Sequence, residues 1–548
     1  MKRYLDVKIV LLLGLLALGS VAAVRSDIYF EIRKQLTIFS DVYKEIATLY
    51  VDEVSPQTLV NRGVEAMLES LDPYTVFIGE GEQQQMEILS SGNYGGIGID
   101  AGHRRDQVVV VAPLEGYPAE RSGILPGDII VSVNGLSVRG MNPEEVQQLT
   151  IGDVGTEITL EIERSGIDEP LSFRLVRERI EVKNILYSDM IGANEDVAYI
   201  QLMRFGQNAS GELREILHRF QSEGSVNGVI LDLRNNPGGL LHEAVSIVDK
   251  FIEPGITVVE TRGRVQEQSN VYVSEEPPMF EDVPLVVLLN NGSASASEVV
   301  AGAFQDLDRA VILGESSFGK GLVQTIRPLS YNTSLKMTVS RYYTPSGRSI
   351  QSVEYPHDSD NRERVIADSL HSEFATRNGR KVYDGMGIEP DIVVKDLPVS
   401  LMEVMLRQNN HYFFFVNDYV SGLENPVSGS MPEDLFERFM EYLEVQEFDY
   451  NTPADRRIQD LKSSSNLYTD SGRAHELLDE LDRLVQEQKR ASLEENRERI
   501  EKELHLEWLA RTGSQEERIH SSIPSDRYIQ QGLSLLSKRA IYDSILTP

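Results

Sequence analysis

The sequence predicts a multidomain α/β protein: a helical N-terminal region, a β-rich domain with two helices, an α/β core and a helical C-terminal extension. Three observations predict it. In the first stretch Leu36, Phe39, Val42, Tyr43, Ile46 and Leu49 recur at helical spacing. Short β-rich runs such as Val108–Val111 and Glu157–Ile162 follow, separated by glycine and proline turns. From about 185 onward, apolar strands such as Gly228–Arg234 and Pro284–Leu289 alternate with helical stretches, the pattern of an α/β layer. The 548 residues exceed one ordinary domain, and 41% hydrophobic with 25% charged residues describes chains that bury real cores.

Composition excludes several functions before any motif is considered. Lys and Arg number 53 against 86 Asp and Glu, a formal charge of −33. A field of that sign repels nucleic acid, so none is expected as a partner. The chain has no cysteine, which removes thiol catalysis, disulfides and cysteine zinc sites together and suits an oxidising compartment. The nine histidines are scattered without a His-Glu-x-x-His, so neither a metal nor a cofactor is expected. Met1-Lys2-Arg3 and Lys8 precede an uncharged run from Ile9 to Val24. As a helix it spans roughly 24 Å, short of the ~30 Å hydrocarbon core. A signal peptide cleaved after Ser20-Val21-Ala22 fits residues 1–26, and an uncleaved anchor in the inner membrane fits as well. Either predicts export to a bacterial periplasm or cell envelope.

Residues 27–90 read as a helical N-terminal domain. Val54-Ser55-Pro56 starts its second helix, and Pro73 ends it by turning Asp72 out of the helical region. In 91–180, Gly92, Gly95, Gly96 and Gly98 precede the first β runs, and Pro126-Gly127-Asp128-Ile129-Ile130 and Val133-Asn134-Gly135 separate later ones. Asn142-Pro143-Glu144-Glu145 reads as a helix start, with Asn142 the N-cap. These segments resemble a PDZ domain. In that family the loop that is Gly96-Ile97-Gly98-Ile99 here turns its backbone N–H groups toward a peptide C-terminal carboxylate, and an edge strand accepts the peptide.

The chemistry concentrates in 181–395. The strand Gly228–Arg234 breaks at Asn235-Asn236-Pro237-Gly238-Gly239, and a helix starts at Leu241. The strand Pro284–Leu289 leads into Asn290-Asn291-Gly292-Ser293-Ala294-Ser295-Ala296-Ser297-Glu298. A further strand, Ala310–Leu313, leads to Phe318-Gly319-Lys320-Gly321, 25 residues beyond Ser295. Ser295-Ala296-Ser297-Glu298 is a good capping box, but capping explains one residue and not a strand exit built of small residues. A serine at a helix start has free N–H groups and the positive dipole end beside its hydroxyl. A lysine can activate it where burial disfavours the charged amine. Gln324, four residues on, would share one side of a helical turn with Lys320; an extended segment would not give that geometry. Pro237-Gly238-Gly239 offers N–H groups to an oxyanion, although alone it is a turn. No Gly-Lys-Ser/Thr follows it, which excludes a P-loop, and Gly-x-Ser-x-Gly is absent.

Together these segments resemble the carboxyl-terminal processing peptidases, or tail-specific proteases. The resemblance spans about 40–395. It rests on Leu71-Asp72-Pro73-Tyr74-Thr75-Val76-Phe77, the PDZ segments, Asp232 through Gly239, the Ser295 and Lys320 segments, Tyr343 through Arg348, and Gly387-Ile388-Glu389-Pro390-Asp391. It implies Ser295 as nucleophile, Lys320 as general base and Gln324 as the residue orienting that base. It also implies an oxyanion hole from the backbone N–H of Ala296 and of Gly238 or Gly239, and substrate capture by the PDZ loop. The expected activity is that of a serine endopeptidase acting on proteins recognised through their C-termini or unfolded state. The alternative is a PDZ scaffold with a silent core. Asp306 matches a family position without an evident role. Tyr117, Ser122 and Ser317 depart mildly from the family pattern. An insertion at about 352–383 and the helical C-terminal extension, 396–548, depart more, and the extension leaves room for an adaptor or regulator. A homo-oligomer is compatible with all of this.

Overall fold

The computed structural model describes residues 29–80, 92–355, 364–365, 371–395, 399–423, 429–465 and 471–547. The signal segment expected at 1–26 and part of the insertion expected at 352–383 lie outside the described residues. These fall in two compact units, one within 1–83, 324–339 and 354–364, the other within 84–323, 340–353 and 365–548.

The second unit is organised by a six-stranded sheet: β1 (Ile185–Ile191), β2 (Val197–Leu202), β3 (Gly228–Asp232), β4 (Leu285–Leu289), β5 (Val311–Gly314) and β6 (Ile392–Val393), side by side in that order. β1 runs antiparallel to β2 and the others are parallel. Every residue of β3 and β4 is buried, because parallel strands covered on both faces are apolar throughout. Their side chains alternate between the faces. Val229, Leu231, Leu285, Val287 and Ile312 share a core with Leu213 and Leu217 of α1 (Ala209–Glu223), Val248 of α2 (Leu241–Val248), and Val300 and Phe304 of α3 (Ala296–Asp306). Ile230, Val286, Leu288, Val311 and Leu313 pack instead with α4 (Arg527–Leu536) and α5 (Arg539–Leu546), through Tyr528, Ile529, Leu535, Leu536, Tyr542 and Leu546.

The end of the C-terminal extension thus supplies the second layer of the core sheet. Tyr528, Ile529, Gly532, Leu535 and Leu536 recur at helical spacing and form the stripe that does so. Gly532 permits the close approach, since a Cβ there would lie 3.1 Å from Ile230 Cδ1. The earlier helices of the extension, among them Leu401–Gln408, His411–Ser421, Leu435–Val445 and Arg497–Thr512, enclose a separate core around Phe436, Phe439, Leu504 and Trp508. His411–Ser421 also touches the PDZ segment: Ser165 Oγ donates to Asp418 Oδ1 at 2.8 Å, and the Arg105 guanidinium stacks 4.2 Å from the Phe414 ring centre.

The PDZ segment has a sheet ordered Ile99–Arg104, Gln107–Pro113, Ile129–Val133, Glu157–Glu163, Leu171–Val176, with Leu136–Ser137 paired to the third strand. Helices Pro118–Arg121 and Pro143–Thr150 close it over Val110, Ala119, Val146, Ile158 and Leu160. Asn142 caps the second helix as its sequence predicts, accepting the Glu145 N–H while Glu145 accepts the Asn142 N–H, both at 2.8 Å.

The first unit contains helical backbone over 29–49 and the helix Pro56–Glu69, where Ser55 Oγ accepts the Thr58 N–H at 3.3 Å. The stretch after Pro73 leaves the helical domain that the sequence suggests and forms the strand Val76–Ile78, antiparallel to Ser334–Lys336. Asp72 makes the turn, its Oδ1 accepting the N–H groups of Tyr74 and Thr75 at 2.9 Å each. Among the described residues, no helix is long and apolar enough to cross a membrane.

If α4 is part of the core, Leu535→Ala lowers stability by about 2–4 kcal/mol, as a cavity against the sheet does. Leu477→Ala, at a half-exposed position, changes it by less than about 0.5 kcal/mol. Chemical denaturation midpoints of the two variants check this difference.

Candidate active site

Two loops leave the carboxyl ends of the adjacent strands β3 and β4, the place where parallel α/β sheets build their sites. They are joined to each other. The Asn235 N–H donates to Asn290 Oδ1, and Asn290 Nδ2 donates to Asn235 Oδ1, both at 2.9 Å. Asn236 is fully buried. Its carbonyl accepts the Ala294 N–H at 3.0 Å and the Ser297 hydroxyl at 2.9 Å, while its side chain donates to Leu202 O and accepts the Gly238 N–H at 2.9 Å. The glycine loop is thereby pressed against Ser295. Gly238 has φ +99°, and a Cβ on it would lie 2.7 Å from Ala294 O, 2.8 Å from Ala296 N and 2.9 Å from Ser295 Cβ. No larger residue fits there.

The three serines of this loop have different surroundings. Ser293 Oγ donates to Leu233 O at 2.8 Å, and Ser297 Oγ donates to Asn236 O, so both hydroxyls tie the loop to its neighbour. Ser295, which is 8% exposed, precedes α3 with φ +56° and ψ −111°. Such a conformation costs a non-glycine residue about 1–3 kcal/mol and persists only where its surroundings enforce it.

Beside it stands Glu298, fully buried in the first turn of α3. Its Oε2 accepts the Ser295 N–H at 2.8 Å, the acidic half of the capping box. The same oxygen accepts the Lys320 N–H at 2.8 Å. Oε1 accepts the Gly319 N–H at 2.7 Å and the Ser317 hydroxyl at 2.6 Å. Burial is the largest influence on this carboxyl and raises its pKa, against the four hydrogen bonds that lower it. One carboxylate therefore holds the backbone of Ser295 and that of Lys320 within reach of a single oxygen atom. Ser317 Oγ in turn accepts the Ile388 N–H at 2.7 Å. Gly387 approaches so closely that a Cβ would lie 2.7 Å from that hydroxyl, which accounts for the Gly387-Ile388 pair in the sequence.

The structure brings together Ser295, Ala296, Gly238, Gly239 and the Lys320 backbone. The two glycines differ. The Gly238 N–H is engaged by Asn236 Oδ1. Gly239 forms a parallel bridge with Phe205, in which Phe205 N–H donates to Gly238 O and Leu240 N–H to Phe205 O. In that pattern the N–H of Gly239 itself faces away from Phe205. Gln324 lies on the strand Leu322–Pro328, and its amide donates to Thr338 Oγ1 at 3.3 Å. The helical-turn geometry considered from the sequence does not apply, because strand residues four apart do not meet as they do over one helical turn. The loop Gly96-Ile97-Gly98-Ile99 belongs to the PDZ core. Ile97 is buried, Gly98 has φ +73°, and the carbonyls of Ile97 and Gly98 accept the N–H groups of Ala119 and Leu114 at 2.9 Å. Tyr117, one of the departures, packs directly on Gly98.

Sequence reasoning assigns Glu298 only a capping role and assigns Asn236 none; the Ser-x-x-Glu spacing was the one available signal for the former. Asp306 acquires a structural role: it pairs with buried Arg348 at 2.9 Å and accepts the Ser346 N–H at 3.0 Å, fixing the Tyr343–Arg348 segment. Asp232 accepts the Tyr199 hydroxyl at 2.9 Å and pairs with Arg234, which reaches Asp526 at the start of α4 at 2.9 Å. Among the described residues no group of acidic or histidine side chains could hold a metal ion.

Peptidase family S41 matches residues 196–359, a PDZ domain matches 109–164, and the C-terminal helical domain of probable PDZ-proteases matches 402–536. A carboxy-terminal-processing protease of Bartonella bacilliformis is 39% identical over 323 residues, 58% of this chain and 73% of that protein. The chain belongs to the carboxy-terminal-processing protease family. A probable CtpA-like serine protease of Staphylococcus aureus is 35% identical over 316 residues, 58% of this chain and 62% of that protein. The match thus covers slightly under two thirds of the staphylococcal relative. The solved photosystem II D1 C-terminal processing protease is 25% identical over 68% of this chain and 97% of that one, with a TM-score of 0.36. The chain is therefore a peptidase of the S41 type carrying a PDZ domain and a helical C-terminal region.

In this peptidase Gly238→Ala would force a Cβ against both flanks of Ser295. We expect kcat to fall by at least about a hundredfold while circular dichroism stays that of the folded protein. Wild-type kcat in Gly238→Ala would contradict the geometry.

Proposed function

We propose that this protein is an exported serine endopeptidase that cleaves proteins presented by their C-termini or by unfolded segments. Ser295 is the nucleophile and Lys320 the general base. The observation that carries the reading is the contrast among the three loop serines. Two hydroxyls tie the loop to the neighbouring loop, whereas Ser295 stands in a left-handed conformation at a helix N-terminus, on the carboxylate that also holds Lys320.

The steps follow from those positions. The neutral Lys320 amine takes the proton as Ser295 Oγ attacks the scissile carbonyl carbon. The resulting oxyanion accepts hydrogen bonds from the backbone N–H of Ala296, in the first turn of α3, and of Gly239. Gly238 is not assigned, since its N–H is already engaged. Such donors act strongly because they are fixed beforehand and shielded from water. The intermediate collapses to an acyl-enzyme as Lys320 returns the proton to the leaving amine. Water, deprotonated by the same lysine, then hydrolyses the ester and regenerates Ser295. Gln324 as orienter of Lys320 rests on the family resemblance alone. Capture of a substrate C-terminus is assigned to the Gly96–Ile99 loop, where left-handed Gly98 supports an anion nest. Export rests on the apolar run from Ile9 to Val24.

Incubation with an unfolded protein substrate tests the reading. Wild-type protein cleaves it, and Ser295→Ala and Lys320→Ala each lose at least about a thousandfold in kcat/KM. Equal cleavage by all three would refute the assignment. Failure of the wild type to cleave would favour the scaffold alternative.

A further inference from the structure

We propose that Phe318 is a specificity-determining residue, its ring the apolar wall on which one substrate side chain close to the scissile bond is held. The proposal rests on Ser295 being the nucleophile.

The backbone of the 317–320 loop is fixed at each residue. The Ser317 N–H donates to Ile388 O at 3.1 Å, and the Phe318 N–H to Ser293 O at 3.0 Å. The N–H groups of Gly319 and Lys320 donate to Glu298 at 2.7 and 2.8 Å. From another direction the Ser352 N–H donates to Gly319 O at 3.0 Å, and the Ser352 hydroxyl to Phe318 O at 3.2 Å. Gly319, with φ +86°, admits that approach, since a Cβ there would lie 2.1 Å from Ser352 Oγ. The side chains do not share one fate. Ser317 is 8% exposed and bonded to Glu298, whereas Phe318, between two buried residues, is 52% exposed. Among the described residues it joins none of the apolar cores.

A lone exposed apolar side chain is ordinary on a protein surface. Phe318 differs in where it is rooted. Its own N–H is held two residues before Ser295, and both its neighbours are held by the carboxylate that takes the Ser295 N–H. An extended chain advances about 3.3–3.6 Å per residue, so a substrate laid across Ser295 passes Phe318 within about three residues of the bond to be cut. An aromatic ring on a fixed backbone has only two side-chain torsions to lose on contact, which makes it an efficient apolar anchor. A carboxylate brought to the same place would lose water and find no hydrogen-bond donor on the ring. The loop that carries the base thereby also reads the substrate, favouring apolar over acidic side chains.

Digestion of an unfolded protein, with the cuts mapped by mass spectrometry, locates the position. Wild-type cuts should be enriched in apolar residues at one position within about three residues of the cut. Phe318→Ala should lose that enrichment, and Phe318→Leu should keep it. For two peptides carrying leucine or aspartate at that position, the ratio of their kcat/KM values should fall about tenfold in Phe318→Ala, with an unchanged thermal midpoint. Wild-type site preferences in Phe318→Ala would overturn the proposal, as would a wild type without any such enrichment. So would an equal loss at every site, since that pattern belongs to a loop that only positions Lys320. Ser295→Ala is run alongside: if it cleaves like the wild type, the reading of the nucleophile has failed rather than the role of Phe318.

Discussion

The site depends on one buried carboxylate. An ionised group as deeply buried as Glu298 is costly unless its oxygens are fully bonded. Glu298 meets that condition with three backbone N–H groups and one hydroxyl, drawn from its own helix start and from the 317–320 loop. Because the donors come from two places in the chain, satisfying the charge fixes those places relative to each other. Ser295 meets that carboxylate with φ +56°, unlike the capping boxes at Asn142, Ser400 and Ser514, whose caps make the same bond with φ −84°, −69° and −82°. Removal of any one donor would leave the carboxylate underbonded, which is costly in a buried network.

A second constraint acts from behind. Strands apolar on both faces cannot stand with one face in water, and in this peptidase the far face is closed by the last two helices of the chain. The connection reaches the site through few bonds. Asp526 caps α4 and binds Arg234, Arg234 binds Asp232, and Asp232 ends the strand that opens into Asn235-Asn236. The burial of Tyr199 and the negative charge of Asp232 beside it hold that phenol well above its ordinary pKa, so Tyr199 remains a donor to Asp232. The C-terminal helices are thus built into the protease core as well as forming a region of their own.

Local chemistry was legible in the sequence, and long-range chemistry was not. The Asn142 cap and the Pro56 helix start each depend on neighbours within a few residues, and each is where the sequence puts it. The capping box at Ser295 was legible in the same way, but its larger meaning was not. That Glu298 also holds the 317–320 loop depends on contacts 19 to 22 residues away, which no spacing rule reports. Asp306 needed Arg348, and the covering of the sheet needed helices some three hundred residues distant. Gln324 shows the reverse hazard: a spacing of four suggests a meeting only if the backbone is helical, and this one is a strand.

The central claim is that the Glu298 carboxylate couples the Ser295 and Lys320 segments, and amide hydrogen exchange in Glu298→Gln tests it most directly. A glutamine has nearly the same shape, but one of its oxygens becomes a donor facing donors. Peptides covering 293–298 and 317–321 are expected to lose protection together, while those covering β3 and β4 keep theirs. Unchanged protection in both segments, or loss in one of them alone, would contradict it.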